Sequence, residues 1–302
     1  MMKTNQYRLM IMDALKERYP EYEFYTEKVT KNNGYCYDGI FVKLDDSISY
    51  APIIPCEEYE EALACNVMTV EEIVDEIDGM LQKRFPLKDI PVSDFKKIKD
   101  NLCVRVINYE KNQKRLMDMP HRKIFDLAIM YRIVFVIDDN TDAGIVVNYR
   151  LMNMWGVTEE ELFETAYHNT FYGKEVRIRS LYDILCNILM EEGKMIPKDM
   201  KDDGKTYVID MGRERDGSIS ILQKDAFKKF AEEKGCDIYI IPSSIHEHIL
   251  VLKQRGVDWK ELRETLLNAN KNDVLEEEVL SEHIYQYVRE TDEIVDMCEQ
   301  YS

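Results

Sequence analysis

The sequence predicts an α+β fold made of recurring helix–β-hairpin–helix units with mainly antiparallel strands. Two observations favour this class. Segments with apolar residues three or four positions apart, typical of amphipathic helices, alternate with pairs of short strand-rich segments joined by turn residues. Helix-capping signals with one common spacing also recur at three places along the 302-residue chain. Hairpins flanked by helices indicate an α+β architecture with antiparallel sheets.

Three hairpins are predicted, each with a helix before and after it. The turn pair Asn33-Gly34 marks the first, since both residue types tolerate a positive φ. The second follows a helix predicted in RKIFDLAIMY (122–131). In chain order, the hairpins occupy residues 23–44, residues 133–137 with 144–148 across the acidic turn DDNTD, and a strand from Asp237 with HILVLK (248–253).

Three helix starts carry a capping box. In this motif a short oxygen-bearing side chain accepts a hydrogen bond from the third helical amide, and a carboxylate reaches back to the cap amide. The segments 156–165 and 256–265 are identical at six of ten positions, which leaves either an ancient duplication or shared capping requirements as the explanation. The three boxes are Thr69 with Glu72, Thr158 with Glu161, and Asp258 with Glu261.

Two polar, proline-bearing segments are candidate domain boundaries. One lies around Pro86 and Pro91, and the other covers residues 194–205. We therefore expect an N-terminal helix–hairpin–helix unit over residues 1–88. A larger α+β region over 89–302 is expected to contain two further hairpin–helix units and an acidic C-terminal segment. Because both linking segments are short, the units should abut one another.

The net charge of −18 is unevenly distributed along the chain. Residues 273–302 contain ten acidic residues and one basic residue, Arg289, for a local charge of −9. Residues 83–123 contain twelve basic and five acidic residues, for a local charge of +7. The basic segment is expected to attract the acidic one, to bind an external anion, or to form a solvated helix face. The overall charge disfavours direct nucleic-acid binding.

The sequence shows no signal for export or for a membrane. Its early apolar run, residues 9–12, is too short for a signal peptide, and no uncharged stretch approaches the ~20 residues that span a bilayer. The seven cysteines are scattered without a CxxC pair, which is typical of reduced residues in a cytoplasmic protein. Without a Walker A loop or a GxGxxG motif, no cofactor is predicted.

One candidate site lies at the start of the third hairpin's second strand. If that strand begins near Ile245, then His246 and His248 share one face and suit two metal ligands. Without a third ligand nearby, the same polar residues would instead close a loop, and no metal site is assigned. A serine nucleophile is disfavoured because GxSxG is absent. The candidate residues are Ser243, Ser244, His246 and Glu247.

A second candidate site lies at the start of the helix predicted to contain Asp126. There His121 and Arg122, beside free helix amides, suit a carboxylate or a phosphate. Alternatively, His121 caps or packs against the helix start. The acidic turn at 138–142 imitates a calcium loop, but its sixth and twelfth positions lack the required Gly and Glu. It is therefore expected to be a hairpin turn.

Five segments occur in a specific order that spans most of the chain. They are KNNGYCYDGIFVKL (31–44), VINYEKNQKRLMDMPHRKIFDLAIMY (106–131), NYRLMNMWGVTEEELFETAYHNT (148–170), IYIIPSSIHEHILVL (238–252) and EEVLSEHIYQY (277–287). This succession resembles an uncharacterised family of bacterial cytoplasmic proteins, catalogued only as a domain of unknown function. The resemblance implies no activity, cofactor or catalytic residue.

The resemblance also marks a set of polar positions. The chain departs from the pattern at His248, and at Asp210-Met211-Gly212, where an asparagine-bearing turn is expected. Both departures weaken a site at those residues. The matching polar positions are Asn108, Asn112, Pro120, His121, Arg122, Asp126, Trp155, Asn169, Pro242, Ser243, Ser244, His246, Glu247, Ser281 and Tyr285.

Two functions are consistent with these observations. The leading hypothesis is a non-catalytic interaction or regulatory protein, since catalytic motifs are missing and hairpin edges can be extended by a partner. Its acidic C-terminal region, expected to be helical, would dock a basic protein partner through residues 273–302. The alternative is an enzyme or small-ligand binder whose site gathers His121, Arg122 and Asp126 with the segment 243–247. That alternative requires these side chains to converge on one concave pocket.

Overall fold

The described residues form three antiparallel β-sheets with helices packed on them. The structure is a computed structural model, which describes residues 4–43, 53–84, 92–138, 141–211 and 217–300. The predicted α+β class is confirmed. Among the residues described, no helix is both long and apolar enough to cross a membrane.

The first sheet belongs to the N-terminal region. It contains β1 (Glu23–Thr30), β2 (Cys36–Lys43) and β3 (Ile53–Pro55), in that spatial order. The first predicted hairpin is confirmed, with Thr30 opposite Cys36. Asn33 holds a positive φ of 57° in its loop, as expected for an Asn-Gly pair. The accompanying helices are α1 (Thr4–Arg18), α2 (Glu57–Ala64) and α3 (Val70–Arg84).

The second sheet is organised around one long central strand. Its strands are β4 (Leu102–Asn108), β5 (His121–Ile124), β6 (Leu127–Asp138) and β7 (Thr141–Val146). Strand β6 pairs with β4 on one side and with β5 and β7 on the other. The β6–β7 pairing confirms a hairpin at the acidic turn, of which Asp139 and Asn140 lie outside the described residues. Two short helices, α4 (Phe95–Ile98) and α5 (Tyr109–Leu116), precede and follow β4.

The helix predicted in residues 122–131 is wrong, because this segment forms β5, a two-residue turn and the start of β6. The apolar residues that suggested a helix are buried on both faces of β6. A central strand covered on both faces shows a continuous apolar run, which periodicity alone does not separate from a buried helix. The second hairpin is therefore preceded by a strand and not by a helix.

The third sheet has six strands and includes the C-terminal region. In spatial order they are β13 (Glu293–Asp296), β12 (Tyr285–Val288), β10 (Ile238–Ile241), β11 (His248–Leu252), β9 (Thr206–Asp210) and β8 (Arg177–Ser180). The third predicted hairpin is confirmed by β10 and β11, with Ile238 opposite Leu252. The remaining helices are α6 (Tyr149–Trp155), α7 (Glu159–Phe171), α8 (Leu181–Glu191), α9 (Lys224–Lys234), α10 (Trp259–Asn272) and α11 (Met297–Gln300).

The expected C-terminal helix is also wrong. Residues after α10 form a 3₁₀ turn at Glu276–Glu278, then β12, β13 and the short helix α11. Tyr285 and Tyr287 alternate along β12 and are both buried in the largest hydrophobic cluster. Aromatic residues fit a pleated, buried surface well, so the apolar residues of this acidic segment direct it into the sheet.

Two hydrophobic clusters account for most of the core. The larger one joins the second and third sheets with α7 and α9, and it includes Tyr131, Phe227 and Tyr285. The smaller one lies among α1, α2, α3 and the first sheet, and it includes Leu15, Ile40 and Ile77. The N-terminal sheet thus has a core of its own, and polar contacts hold it to the rest of the chain.

The predicted capping residues occupy the helix starts. Thr69 and Glu72 form the complete reciprocal box, at 2.8 Å and 3.2 Å. Thr158 accepts from the Glu161 amide at 3.2 Å. Asp258 accepts from the Lys260 amide at 3.0 Å, one residue earlier than predicted. All three residues therefore begin their helices as expected.

Candidate functional site at the sheet junction

The turn between β5 and β6 places Asp126 at the junction of the sheets. Ile124 lies opposite Leu127, so Phe125 and Asp126 alone form the turn. Phe125 adopts a positive φ of 54°, a conformation that is strained for a bulky side chain and persists only where the surroundings hold it. The Phe125 ring stacks on Tyr285, with centroids 5.1 Å apart. This contact holds the strained turn against β12.

The Asp126 carboxylate is buried and accepts two hydroxyl hydrogen bonds. Ser281 Oγ donates to Oδ2 at 2.6 Å, and the Tyr285 hydroxyl donates to Oδ1. Only 7% of Asp126 and 0% of the other two residues are exposed. Burial, with the adjacent carboxylate, raises the pKa of Tyr285 well above its usual value. The tyrosine therefore stays protonated and remains a donor.

A second carboxylate extends the network through His283. Its Nδ1 lies 2.7 Å from Asp296 Oδ2 and 3.8 Å from Asp126 Oδ1. The hydrogen bond to Asp296 raises the pKa of His283. Asp296 Oδ1 accepts from the Cys298 amide at 2.8 Å and so begins α11. The imidazole thus lies between two carboxylates that other groups also hold in place.

The side chains most suited to a metal ion lie in the same place. In the part of the chain that is described, donor atoms of His283, Asp296 and Cys298 lie within 4.8 Å of one another. These are donor types that bind zinc and related ions. Burial raises the pKa of the Cys298 thiol, which disfavours the thiolate form that metals require. The His283–Asp296 hydrogen bond already satisfies the other two groups without an ion.

Asparagine side chains fasten the C-terminal connector, defined as residues 273–284, to both other sheets. Asn33, in the first hairpin loop, also exchanges hydrogen bonds with Asn112 of α5 at 2.9 Å and 3.0 Å. The connector carbonyls accept from Asn33 Nδ2 at Glu276 and Val279 (both 2.7 Å), from Asn32 Nδ2 at Glu277 (2.7 Å) and from Asn108 Nδ2 at Leu280 (3.0 Å). Side-chain amides match backbone groups well, so the connector serves as the common attachment of all three sheets.

His121 and Arg122 lie in strand β5 and not at a helix start. His121 Nδ1 lies 2.8 Å from the Met119 carbonyl oxygen. The Arg122 guanidinium donates two hydrogen bonds of 2.9 Å to Glu159 and one of 2.7 Å to Glu160. It also stacks on the Phe163 ring at 3.7 Å. Arg122 therefore fastens α7 to the second sheet.

The segment 243–247 closes a loop, which was the alternative to a paired-histidine metal site. Ser243 Oγ donates to the Glu247 carbonyl at 3.1 Å, and Ser244 Oγ accepts from the His246 amide at 3.1 Å. Strand β11 begins at His248 and not near residue 245. His248 is fully buried against the Ser218 carbonyl at 2.9 Å, and burial lowers its pKa to about 4.

The two candidate segments, 121–126 and 243–247, both contact the connector but are not hydrogen-bonded to each other in the described structure. Asp126 binds Ser281, and His246 Nε2 lies 3.1 Å from Glu278 Oε1. Across the described ranges, no hydrogen bond links residues 121–126 with 243–247. Burial raises the pKa of Glu247. One cavity of about 270 Å³ lies between Val92 and α6 and contains none of the candidate residues.

Sequence reasoning missed several members of this network. The family-like pattern included Asp126, Ser281 and Tyr285 but did not connect them. His283 and Asp296 carried no local signal, because β12–β13 pairing brings them together, with Tyr285 opposite Asp296. Asn33 was interpreted only as a turn residue, although its side chain makes three hydrogen bonds to Glu276, Val279 and Asn112, all distant in sequence.

The model of a family described as "Family of unknown function (DUF5688)" matches residues 4–289. No curated protein and no solved structure matches the chain.

Proposed function

The chain belongs to DUF5688, a family of unknown function, and we propose that it is a cytoplasmic, non-catalytic interaction or regulatory protein. Its partner is a basic protein that binds the acidic C-terminal region. The observation that carries the proposal is the position of β13, the outermost strand of the third sheet among the described strands. The scattered cysteines support a reducing compartment.

The carboxylates beside β13 are exposed and available to form ion pairs with a partner. Glu290, Glu293 and Glu299 are exposed, and none of them has an ion pair with another described residue. Glu290 precedes β13, Glu293 is its first residue, and Glu299 follows it in α11. An outer strand presents unpaired backbone groups, so this edge combines hydrogen-bonding capacity with negative charge.

Other acidic residues of the region already have partners within the chain. The proposed docking surface therefore includes only part of residues 273–302. These partners neutralise charge that a basic protein would otherwise meet. The pairs are Glu277 with Lys31 (3.3 Å), Glu278 with His246 (3.1 Å), Glu282 with Lys111 (3.7 Å), Asp292 with Lys224 (3.2 Å) and Lys228 (3.4 Å), and Asp296 with His283 (2.7 Å).

The binding mode is the addition of a basic, extended segment to β13. Main-chain hydrogen bonds supply affinity in such strand addition, and alternate side chains supply specificity. Lysine or arginine side chains on the added strand would lie near Glu290 and Glu293. Because these pairs are exposed to solvent, the interaction should weaken as salt increases.

The polar residues at the sheet junction support a non-catalytic role. Asp126, Ser281 and Tyr285 bond to one another in the interior. Buried polar groups that satisfy each other in this way specify a unique packing. The alternative, an enzyme or small-ligand binder with a site assembled from His121-Arg122 and the segment 243–247, stays a prediction.

The test replaces the three exposed carboxylates by lysine in the full chain, as Glu290→Lys, Glu293→Lys and Glu299→Lys together. Truncation at residue 273 is unsuitable because it removes β12 and the buried Tyr285. The probe is a synthetic peptide that alternates lysine and valine, with binding measured by calorimetry at low salt. The wild type should bind it about tenfold more tightly than the triple variant.

A matched control separates the β13 edge from general acidity. The control variant carries Glu164→Lys, Glu232→Lys and Glu264→Lys, three exposed acidic residues on helices. It has the same net charge as the test variant and should bind the peptide as the wild type does. Equal losses in the two variants, or no binding by the wild type, would contradict the proposal.

A further inference from the structure

The second sheet gathers arginine side chains on one face. Arg105 of β4 lies opposite Met130, and Arg132 of β6 lies opposite Cys103. Residues directly opposite in an antiparallel pair share a face, and so do residues two apart in one strand. Arg105 and Arg132 are therefore diagonal neighbours, about 7–8 Å apart at Cα.

Helix α5 covers the same face and adds a third arginine. Leu116 packs there with Ile107, Ala128 and Met130. Arg115 immediately precedes this anchoring leucine in the last turn of α5. Together, these side chains form the arginine face, which consists of Arg105, Arg115 and Arg132.

Arg115 has no counter-charge among the described residues. Its guanidinium makes no hydrogen bond or ion pair with any of them, although the residue is half-buried. Burial, together with the charges of Arg105 and Arg132, lowers the pKa of Arg115. A cation held near two like charges and away from water is unfavourable unless an anion offsets it.

The backbone of β7 leaves room for a guanidinium on this face. A Cβ atom on Gly144 would lie 2.2 Å from Arg132 Nη2. Any other residue at this position would displace the Arg132 head group. Glycine therefore permits the guanidinium to lie against the β7 backbone and on the same face as the other two arginines.

We propose that the arginine face binds a small, doubly charged oxyanion, with inorganic phosphate as the representative ligand. The planar fork of a guanidinium donates parallel hydrogen bonds to phosphate oxygens and recognises them by geometry as well as charge. The sequence left open whether the basic segment 83–123 binds an external anion, and this site assigns it that role. The segment supplies Arg105 and Arg115, and neighbouring lysines such as Lys114. It is independent of the proposed partner at β13, which lies on another sheet.

The proposal is tested by thermal unfolding of the full chain in sodium phosphate and in sodium chloride of equal ionic strength. Chloride screens the arginine charges as well as phosphate does, so any difference reports binding. Phosphate at high excess should raise the Tm of the wild type by at least ~2 °C over chloride. In the variant Arg115→Gln this difference should disappear.

Phosphate affinity provides a second measurement. Equilibrium dialysis with labelled phosphate should give one site per chain in the wild type and at least about tenfold weaker binding in Arg115→Gln. The control Arg255→Gln, at an exposed arginine in the turn before α10, should bind as the wild type does. Equal Tm values in phosphate and chloride, or wild-type phosphate binding by Arg115→Gln, would overturn the proposal.

Discussion

The sheet junction and the arginine face both gather charged side chains beside the second sheet, but they differ in whether those charges have partners. At the junction, Asp126 and Asp296 are matched by hydroxyl donors and by His283. On the arginine face, Arg115 has no such partner among the described residues. Polar groups that satisfy one another internally stabilise packing, whereas a half-buried cation such as Arg115, with no counter-charge among the described residues, is suited to bind an anionic ligand.

The largest effect is expected for Asp126→Ala. Removing the carboxylate leaves the buried hydroxyls of Ser281 and Tyr285 without their acceptor, and it should lower the free energy of unfolding by about 3 kcal/mol. Urea denaturation measures this loss. Asp273→Ala, at an exposed position of the same connector, should change the free energy by less than about 0.5 kcal/mol. A similar small change for Asp126→Ala would show that the junction is not a stability element.

Tyr285→Phe should have a smaller effect of the same sign. The ring and its contact with Phe125 remain, but the carboxylate loses one buried donor, for about 2 kcal/mol. The matched control is Tyr172→Phe, because Tyr172 is 75% exposed and should tolerate the change. Equal urea midpoints for both variants would contradict a role for the hydroxyl.

Arg122→Gln and Arg115→Gln compare a partnered arginine with one that lacks a partner. The first loses the hydrogen bonds to Glu159 and Glu160 and should lower the free energy of unfolding by about 1 kcal/mol. The second removes like-charge repulsion and, in chloride, should leave stability unchanged or raise it by up to ~0.5 kcal/mol. If Arg115→Gln were the more destabilising variant, the distinction between the two regions would be lost.

The smallest effect is a pH dependence from His283. Its pKa is raised in the folded state by Asp296, so its contribution to stability is fully present below the unfolded-state pKa of about 6.5. That contribution is lost as the pH rises through the folded-state pKa. Urea midpoints between mildly acidic and mildly alkaline pH should therefore fall in the wild type relative to His283→Gln. His168→Gln, at an exposed histidine of α7, should follow the wild type.

Much of the fold was predictable wherever the signal is local. The Asn33-Gly34 turn and the two strands around residues 238–252 identified hairpins correctly, because turn residues and strand-rich runs adjoin in sequence. Thr69, Thr158 and Asp258 located helix starts because a cap depends on the next three residues. Residues 122–131 were mistaken for a helix, since burial on both faces of β6 removes the alternation that identifies a strand.

The candidate site was less predictable, because its contacts join distant residues. Asp126 and Ser281 are 155 positions apart, and His246 and Glu278 are 32 apart. Residue type and spacing identified Asp126, His246 and the acidic C-terminal region as notable. They did not indicate that the connector would contact both the segment 121–126 and the segment 243–247. They also did not indicate that five acidic residues of the C-terminal region would pair with basic residues or histidines of the same chain.

The sequence by itself determined the α+β class, two of the three hairpins in full, the helix starts and the unequal charge of two segments. Each depends on neighbouring residues and on the periodicity of apolar side chains. Only the tertiary structure decided which charges are satisfied. Strand pairing placed Asp296 beside His283, and packing of α5 on the second sheet placed Arg115 beside two arginines. Electrostatic energy depends on distance and burial in three dimensions, and a linear sequence specifies neither.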